Sequence, residues 1–178
     1  SPCVLWIDEL EKAFAGAGAQ GGSSEVTTRL FGSFLTWMQE KDSLAFVVAT
    51  ANNISHLPPE LMRKGRFDEI FYVDFPNQSE REKIISLHIG KRRSADLAKI
   101  DIPALARKMD GYCGADIESV VRDGIEAAFV AGKDHVTTED LQAAIGRTHP
   151  ISETMKDAIE EMDETYKSKK FTNASREE

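Results

Sequence analysis

The sequence predicts an α/β protein: a short parallel-sheet portion over residues 1–76, a small all-helical portion over 77–150, and a further helix and tail over 151–178. Three observations carry this. Residues 3–7 (CVLWI) and 44–50 (LAFVVAT) are continuous apolar runs bounded by polar residues, the pattern of strands buried on both faces of a parallel sheet. A long connection with helical periodicity lies between them, as an α/β sheet requires. After Pro76 no strand pattern returns.

The elements follow in order. Residues 15–25 (AGAGAQGGSSE) are rich in glycine and serine and read as a flexible loop. Val26, Leu30, Phe34 and Met38 then recur every four residues, with Phe31 and Leu35 alongside, predicting a helix. A third strand is expected at 69–74 (EIFYVD). Ser79 and Glu82 form a candidate capping box for a helix over 79–92. Asp101 before Ile102-Pro103 marks another helix start, since proline is tolerated in the first turn. Ile117, Val120, Val121, Ile125, Ala128 and Phe129 trace one face of a third helix. Thr137 and Asp140 form another capping box, followed by Leu141, Ala144 and Ile145. Ile151, Met155, Ala158, Ile159, Met162 and Tyr166 trace a last amphipathic helix. The tail KSKKFTNASREE is poor in apolar residues and is expected to be frayed or disordered.

Composition narrows the function. The chain has 178 residues, 41% hydrophobic and 29% charged, which fits one globular domain, or one with a small satellite. A formal net charge of −8 argues against general nucleic-acid binding, which needs a basic surface. The one basic cluster, KRR at 91–93, reads as a solvated helix end. No apolar run approaches the ~20 residues of a membrane span, and SPCVLW does not read as a signal peptide. Cys3 and Cys113, far apart, suit neither a disulfide framework nor a zinc site, and fit a reducing compartment.

The polar residues at the strand ends are the candidate chemistry. A parallel strand delivers its last residues to the carboxyl edge of the sheet, where α/β proteins place ligands. Asp8 and Glu9 stand there as adjacent carboxylates that repel unless something positive or protic lies between them. A magnesium–phosphate group meets that need, with one carboxylate on the metal's water shell and the other orienting a water. The plainer alternative is a solvated pair opening a loop. Asn52 ends the second run and would share the edge if the strands are neighbours; an ordinary Asx-turn is the alternative. Arg63 and Arg66 flank Gly65, a candidate helix C-cap. They are either loose surface arginines or a spaced pair that reads an anion.

At these residues the chain resembles the AAA ATPases. VLWIDELEKAF is similar to their Walker B segment, and VVATANNISHLPPELMRKGRFDEIFYVDFP to their second region of homology. GYCGADIESVV (111–121) is similar to the start of the lid helix near sensor 2. The individual motifs are short; their order and spacing over residues 1–131 carry the likeness. The fold implied is an incomplete P-loop NTPase parallel sheet, the C-terminal half of an AAA core, followed by a helical lid. ATP and Mg2+ are the cofactors implied. The resemblance gives Asp8 to magnesium, Glu9 to the attacking water and Asn52 to sensor 1. It makes Arg66 the arginine finger, with Arg63 its partner, acting on the ATP of an adjacent subunit. His88 aligns with a lid histidine at the nucleoside, and Gly114 and Ala115 with small residues beside the adenosine.

Some positions depart from the pattern. Asn53 stands where many relatives have arginine, Lys64 where proline is common, and GAD where a sensor 2 arginine could stand. LWIDELEKAF, FLTWMQEK and the HPISETM lead into the last helix resemble a narrower set of AAA proteins from cyanobacteria, plastids and other bacteria. The location implied is the cytoplasm, or the plastid stroma for a plastid-encoded chain.

No stretch matches the phosphate loop G-x-x-x-x-G-K-[ST]. The glycine-rich loop lies after the Walker B segment, where a second pore loop or a plain connector would fall. The chain therefore reads as the C-terminal piece of a longer ATPase, expected alone to bind ATP weakly and hydrolyse it negligibly. The function implied is ATP-driven remodelling of a protein client by a self-associating, hexameric ring. The alternatives are a nucleotide-dependent assembly scaffold or switch, and a helical docking module over 77–166.

Overall fold

β1 (Cys3–Ile7) and β2 (Ala45–Ala49) run parallel, in register from Cys3↔Ala45 to Ile7↔Ala49. They belong to the first of two units into which the chain divides, Ser1–Ile70 and Phe71–Glu178. The computed structural model describes residues 2–14, 25–40, 44–63, 65–169 and 171–175. The glycine-rich loop expected at 15–25 therefore lies outside the described residues except for Glu25, which opens a helix.

Within the first unit, β1 leads into a single turn, α1 (Leu10–Ala13), and α2 (Glu25–Glu40) provides the long helix. Leu10, Phe14, Phe31 and Leu61 form its buried core, with Ile7, Phe34, Leu35, Ala49, Leu57 and Phe67 packed around them. Phe14 stacks on Phe31 and Phe34 at centroid distances of 5.1 and 5.2 Å, within the range where tilted aromatic pairs attract.

One expectation is corrected here. The strands were expected to be buried on both faces, but Val4, Trp6 and Phe46 are 68%, 63% and 66% exposed. Among the described residues the sheet has only two strands, and of these only Ile7 and Ala49 join the packed cluster. On α2 the buried positions are Phe31 and Met38, while Val26 and Leu30 face solvent. Phe34 and Leu35 pack on the core cluster as well, so the helix forms as expected and only the first two apolar positions of its stripe stay outside the packing.

Past β2 the chain forms two short 3-10 turns, Ile54–His56 and Pro59–Met62. The Asn53 side chain caps the first by accepting from Ser55 N at 2.9 Å.

In the second unit, β3 (Phe71–Tyr72) leads to α3 (Gln78–Arg93), α4 (Ile102–Lys108), α5 (Gly114–Val130) and α6 (Thr138–Ile145). Their core is Ile85, Ile89, Leu105, Met109, Ile117, Val120, Val121 and Leu141, all fully buried. Each such side chain contributes about 1.5–3 kcal/mol relative to exposure, which is what holds the four helices together. α5 and α6 approach so closely at Gly124 that an added Cβ would lie 2.6 Å from Leu141 Cδ2 and 3.3 Å from Leu141 Cα.

Buried polar groups tie the loops to this core. Arg81 donates to Ala106 O at 2.9 Å and Pro76 O at 2.8 Å, joining the start of α3 to α4. Asp96, on the 3-10 helix Ser94–Lys99, is fully buried and accepts from Arg93 Nε at 2.8 Å and Val136 N at 3.3 Å. His135 Nδ1 lies 2.9 Å from its other oxygen. The basic cluster at 91–93 is therefore more than a solvated helix end: Arg93 is consumed by Asp96, and Arg92 pairs with Glu118 at 2.7 Å.

The caps at Asp101 and Thr137 stand as expected. The α3 cap does not: Asn77 and Glu80 form the capping box, two residues before the expected Ser79 and Glu82. Asparagine caps as well as serine, and here the chain uses the earlier one. Phe129, expected on the same face of α5, is 81% exposed although the adjacent Ala128 is buried, because it lies about 100° further round the helix, at the edge of the apolar stripe.

The last helix is broken into α7 (Ile151–Thr154) and α8 (Lys156–Lys169), with Met155 between them at φ −126°. The expected third strand at 69–74 shrinks to β3, and the tail expected to fray supplies its partner. β4 (Thr172–Asn173) pairs parallel to β3, Phe71↔Thr172 and Tyr72↔Asn173. Tyr72 explains the anchoring. Its ring lies 4.7 Å from that of Tyr166, and its hydroxyl donates to Asp163. Among the described residues no helix is long and apolar enough to cross a membrane.

Candidate functional site

The parallel pairing of β1 and β2 sets which residues meet at its carboxyl end. The ladder continues one step past the strands: Thr50 N donates to Ile7 O at 2.9 Å, and Leu10 N donates to Thr50 O at 2.8 Å. Asp8 and Glu9 are thereby held beside Thr50 and Asn52.

Glu9 turns the chain from strand into α1 and adopts φ 51°, ψ 54°. It is the one non-glycine residue with positive φ among the described residues. That conformation costs roughly 1–2 kcal/mol for an L-residue, so its surroundings must hold it. Thr50 Oγ1 accepts from Glu9 N at 3.1 Å and donates to Asp8 Oδ1. Asn52 Nδ2 donates to Glu9 Oε1 at 3.1 Å. The same Glu9 oxygen pairs with Lys12 Nζ at 2.6 Å, and Glu9 raises the Lys12 pKa above its ordinary value.

Glu11 is 5% exposed and accepts from Asn52 N at 3.2 Å through Oε1, while its Oε2 is buried without a partner. Asn52 is thus held by its backbone and aimed by its side chain.

The structure brings Asp8, Glu9 and Asn52 together. It does not hydrogen-bond or ion-pair Arg63 or Arg66 to either carboxylate among the described residues. Arg63 follows the 3-10 turn and is exposed, and Gly65 takes φ +87°. The arginines were expected at a helix end capped by Gly65; instead the helix is one 3-10 turn, and Gly65 lies three residues beyond it. Arg66 is half-buried, and its Nε is buried with no acceptor.

In the second unit, His88 on α3 is 13% exposed, with Nδ1 3.5 Å from Glu118 Oε1 and 3.3 Å from Arg92 Nη1. Glu118 sits one turn after Gly114 on α5, so His88 faces the opening of that helix. Arg92 beside it holds the Glu118 carboxyl below its usual range. Gly114 and Ala115 are exposed, and a Cβ at 114 would meet nothing within 4 Å. The chain's own packing therefore does not require glycine there.

Asp8 is exposed and offers a hard oxygen donor. Among the described residues no group of three or more His, Cys, Asp or Glu side chains is gathered to hold a metal. That donor set fits a magnesium ion completed by phosphate and water better than an all-protein cage.

Sequence reasoning missed Thr50, Glu11 and Lys12. Lys12 could have been found, standing three residues after Glu9 at a helix start. Thr50 had only its place at a strand end. Glu11 had no signal, because glutamate is among the residues least often fully buried.

Comparison with known proteins places the chain in a family. The family described as the ATPase family associated with various cellular activities (AAA) matches residues 1–75, and the AAA+ lid domain matches residues 99–143. The chain is 44% identical, over 91% of its length, to the uncharacterized AAA domain-containing protein ycf46 of Pyropia yezoensis, covering 32% of that protein. It is 42% identical, over 98% of its length, to the ycf46 protein of Guillardia theta, covering 34%. It is 36% identical, over 83% of its length, to the ATP-dependent zinc metalloprotease FtsH 2 of Petrotoga mobilis, covering 24%. The chain thus spans about a third of the length of the ycf46 relatives it matches. With strand-end carboxylates on a parallel pair in one unit and capped helices in the other, the chain belongs to the AAA ATPases, as part of a P-loop NTPase sheet followed in sequence by a helical lid.

Proposed function

We propose that this chain supplies the Walker B, sensor 1, arginine-finger and lid parts of an ATP site in a hydrolysing AAA motor. The observation that carries the reading is the hydrogen bond from Asn52 Nδ2 to Glu9 Oε1, which sets a neutral amide beside a carboxylate at the sheet edge. In this reading Asp8 supports Mg2+ bound to ATP, and Glu9 takes up the attacking water's proton. Asn52 holds Glu9 and senses the γ-phosphate. Magnesium, when bound, supplies charge neutralisation on the phosphates.

Arg66, with Arg63, serves the ATP of a neighbouring subunit. The buried Nε without an acceptor supports this, since the head group is not spent on internal pairing. His88, Gly114 and Ala115 serve the adenosine side. The functional division is 1–76 for the nucleotide-binding part, 77–150 for the lid, and 151–178 for the C-terminal helix and tail. The full gene product assembles as a ring, hexameric by the family pattern, and remodels a protein client in the cytoplasm or plastid stroma.

The test is Glu9→Gln in the full gene product. ATP turnover should fall by at least ~100-fold, ATP binding should persist, and an ATP-bound oligomer should accumulate and trap a client. Unchanged turnover would remove the reading. Assembly without client trapping would favour a nucleotide-dependent scaffold. Residues 1–178 alone carry no phosphate-loop lysine and should hydrolyse ATP negligibly.

A further inference from the structure

We infer that Thr50 is the positioning residue that sets Asp8 and Glu9 relative to each other, through one hydroxyl bonded to both. The inference rests on the ATPase reading above. Thr50 spends all its polar groups on the segment from Ile7 to Leu10. Its N–H donates to Ile7 O at 2.9 Å, and its carbonyl accepts from Leu10 N at 2.8 Å. Its Oγ1 accepts from Glu9 N at 3.1 Å and donates to Asp8 Oδ1.

The backbone pair extends the β1–β2 ladder and would exist with any residue but proline at 50. The hydroxyl does something the ladder cannot. In a continuing strand, Asp8 and Glu9 would point to opposite faces. The left-handed turn at Glu9, φ 51°, ends that alternation, and its N–H finds its acceptor in Thr50 Oγ1. The hydroxyl proton, in turn, fixes one oxygen of Asp8. One hydroxyl therefore fixes the carboxylate assigned to magnesium directly, and fixes the backbone turn from which the Glu9 side chain, assigned to water, departs. Two residues on, Asn52 Nδ2 holds the far end of Glu9 at 3.1 Å.

The β-branch suits this task. With two heavy atoms on Cβ, threonine has few χ1 states, so the hydroxyl stays where both bonds need it. Valine keeps that shape and both backbone bonds, and removes only the hydroxyl. Serine keeps the hydroxyl and loses only the methyl.

The test compares the full gene product with Thr50→Val and Thr50→Ser. The measurements are ATP turnover against ATP and Mg2+, affinity for a fluorescent ATP analogue with and without Mg2+, and thermal melting. Thr50→Val should lower kcat by about 10- to 100-fold and raise the half-maximal Mg2+ concentration by about tenfold, the effect of losing a partner that orients a metal ligand. Affinity for the Mg2+-free analogue should stay within about twofold, and Thr50→Ser should restore both values to within about threefold.

Turnover and Mg2+ dependence unchanged in Thr50→Val would overturn the inference. So would a loss that serine does not restore, or one that falls equally on Mg2+-free binding; either marks a packing role. If Thr50→Val does not fold, Thr50→Ala is read by the same criteria. A parent that hydrolyses ATP while Thr50→Val is unaffected removes only the role of Thr50. A parent that does not hydrolyse ATP removes the ATPase reading, and this inference with it.

Discussion

Asn52 Nδ2 donates to Glu9 Oε1 across 3.1 Å, joining residues 43 apart in the chain. The bond aims a carboxylate that the backbone holds in a left-handed turn. Asn52→Ala removes the donor and leaves Glu9 to Lys12, which already pairs with the same oxygen at 2.6 Å. In the full gene product kcat should fall by roughly 100-fold with little change in KM, the effect of removing one preorganised donor. A rise in KM alone would instead place Asn52 in ground-state binding.

Arg66 offers a test that separates activity from stability. Its Nε is buried without an acceptor, so truncation removes an unsatisfied group rather than a bond. Arg66→Ala should leave Tm within about 2 °C of the parent, while ATP turnover by the assembled protein falls by about 10³-fold or more. A large drop in Tm with proportional loss of folded protein would show a packing role instead.

Two glycines in the lid should respond in opposite directions. Gly124→Ala sets a Cβ 3.3 Å from Leu141 Cα, so α5 and α6 must part. The expected cost is about 1–3 kcal/mol. Gly146 caps α6 at φ −64°, and a Cβ there would meet nothing nearer than 3.8 Å. Gly146→Ala should be neutral or stabilising by about 0.4–1 kcal/mol, through the unfolded chain. Urea denaturation of the two variants checks both.

Asp96 gives the lid an acid-sensitive anchor. The Arg93 hydrogen bond, opposed by burial and aided by Val136 N and His135, lowers its pKa from 3.8 to about 2. Because the folded-state value is depressed, the stabilisation is fully present above about pH 4 and is lost as pH falls toward 2. Melting between pH 2 and 5 should show a steeper acid limb for the parent than for Asp96→Asn. The variant should also be less stable at neutral pH. Parallel limbs would show that another carboxylate controls acid unfolding.

Much of the fold was legible because it is written in local chemistry. The caps at Asp101 and Thr137, and the buried face of α5 at Ile117, Val120 and Val121, follow from spacing and short polar side chains. The α3 cap slipped by two residues because Asn77 and Ser79 are both good caps, each followed three residues later by glutamate. The tail was misread because composition does not report that Tyr72 will stack on Tyr166 and draw Thr172–Asn173 into a strand.

The sequence by itself determined the two strands, the order of helices and the candidates Asp8, Glu9 and Asn52, because apolar runs and strand-end polar residues are local signals. Only the tertiary structure decided what binds what. Parallel register brings Thr50 to Asp8 and Asn52 to Glu9. The fold buries Glu11 against the Asn52 backbone. It also selects Phe31 and Met38, not Val26 and Leu30, as the inner face of α2. These choices depend on which surfaces meet, and burial is a property of the assembled chain, not of any one segment's pattern.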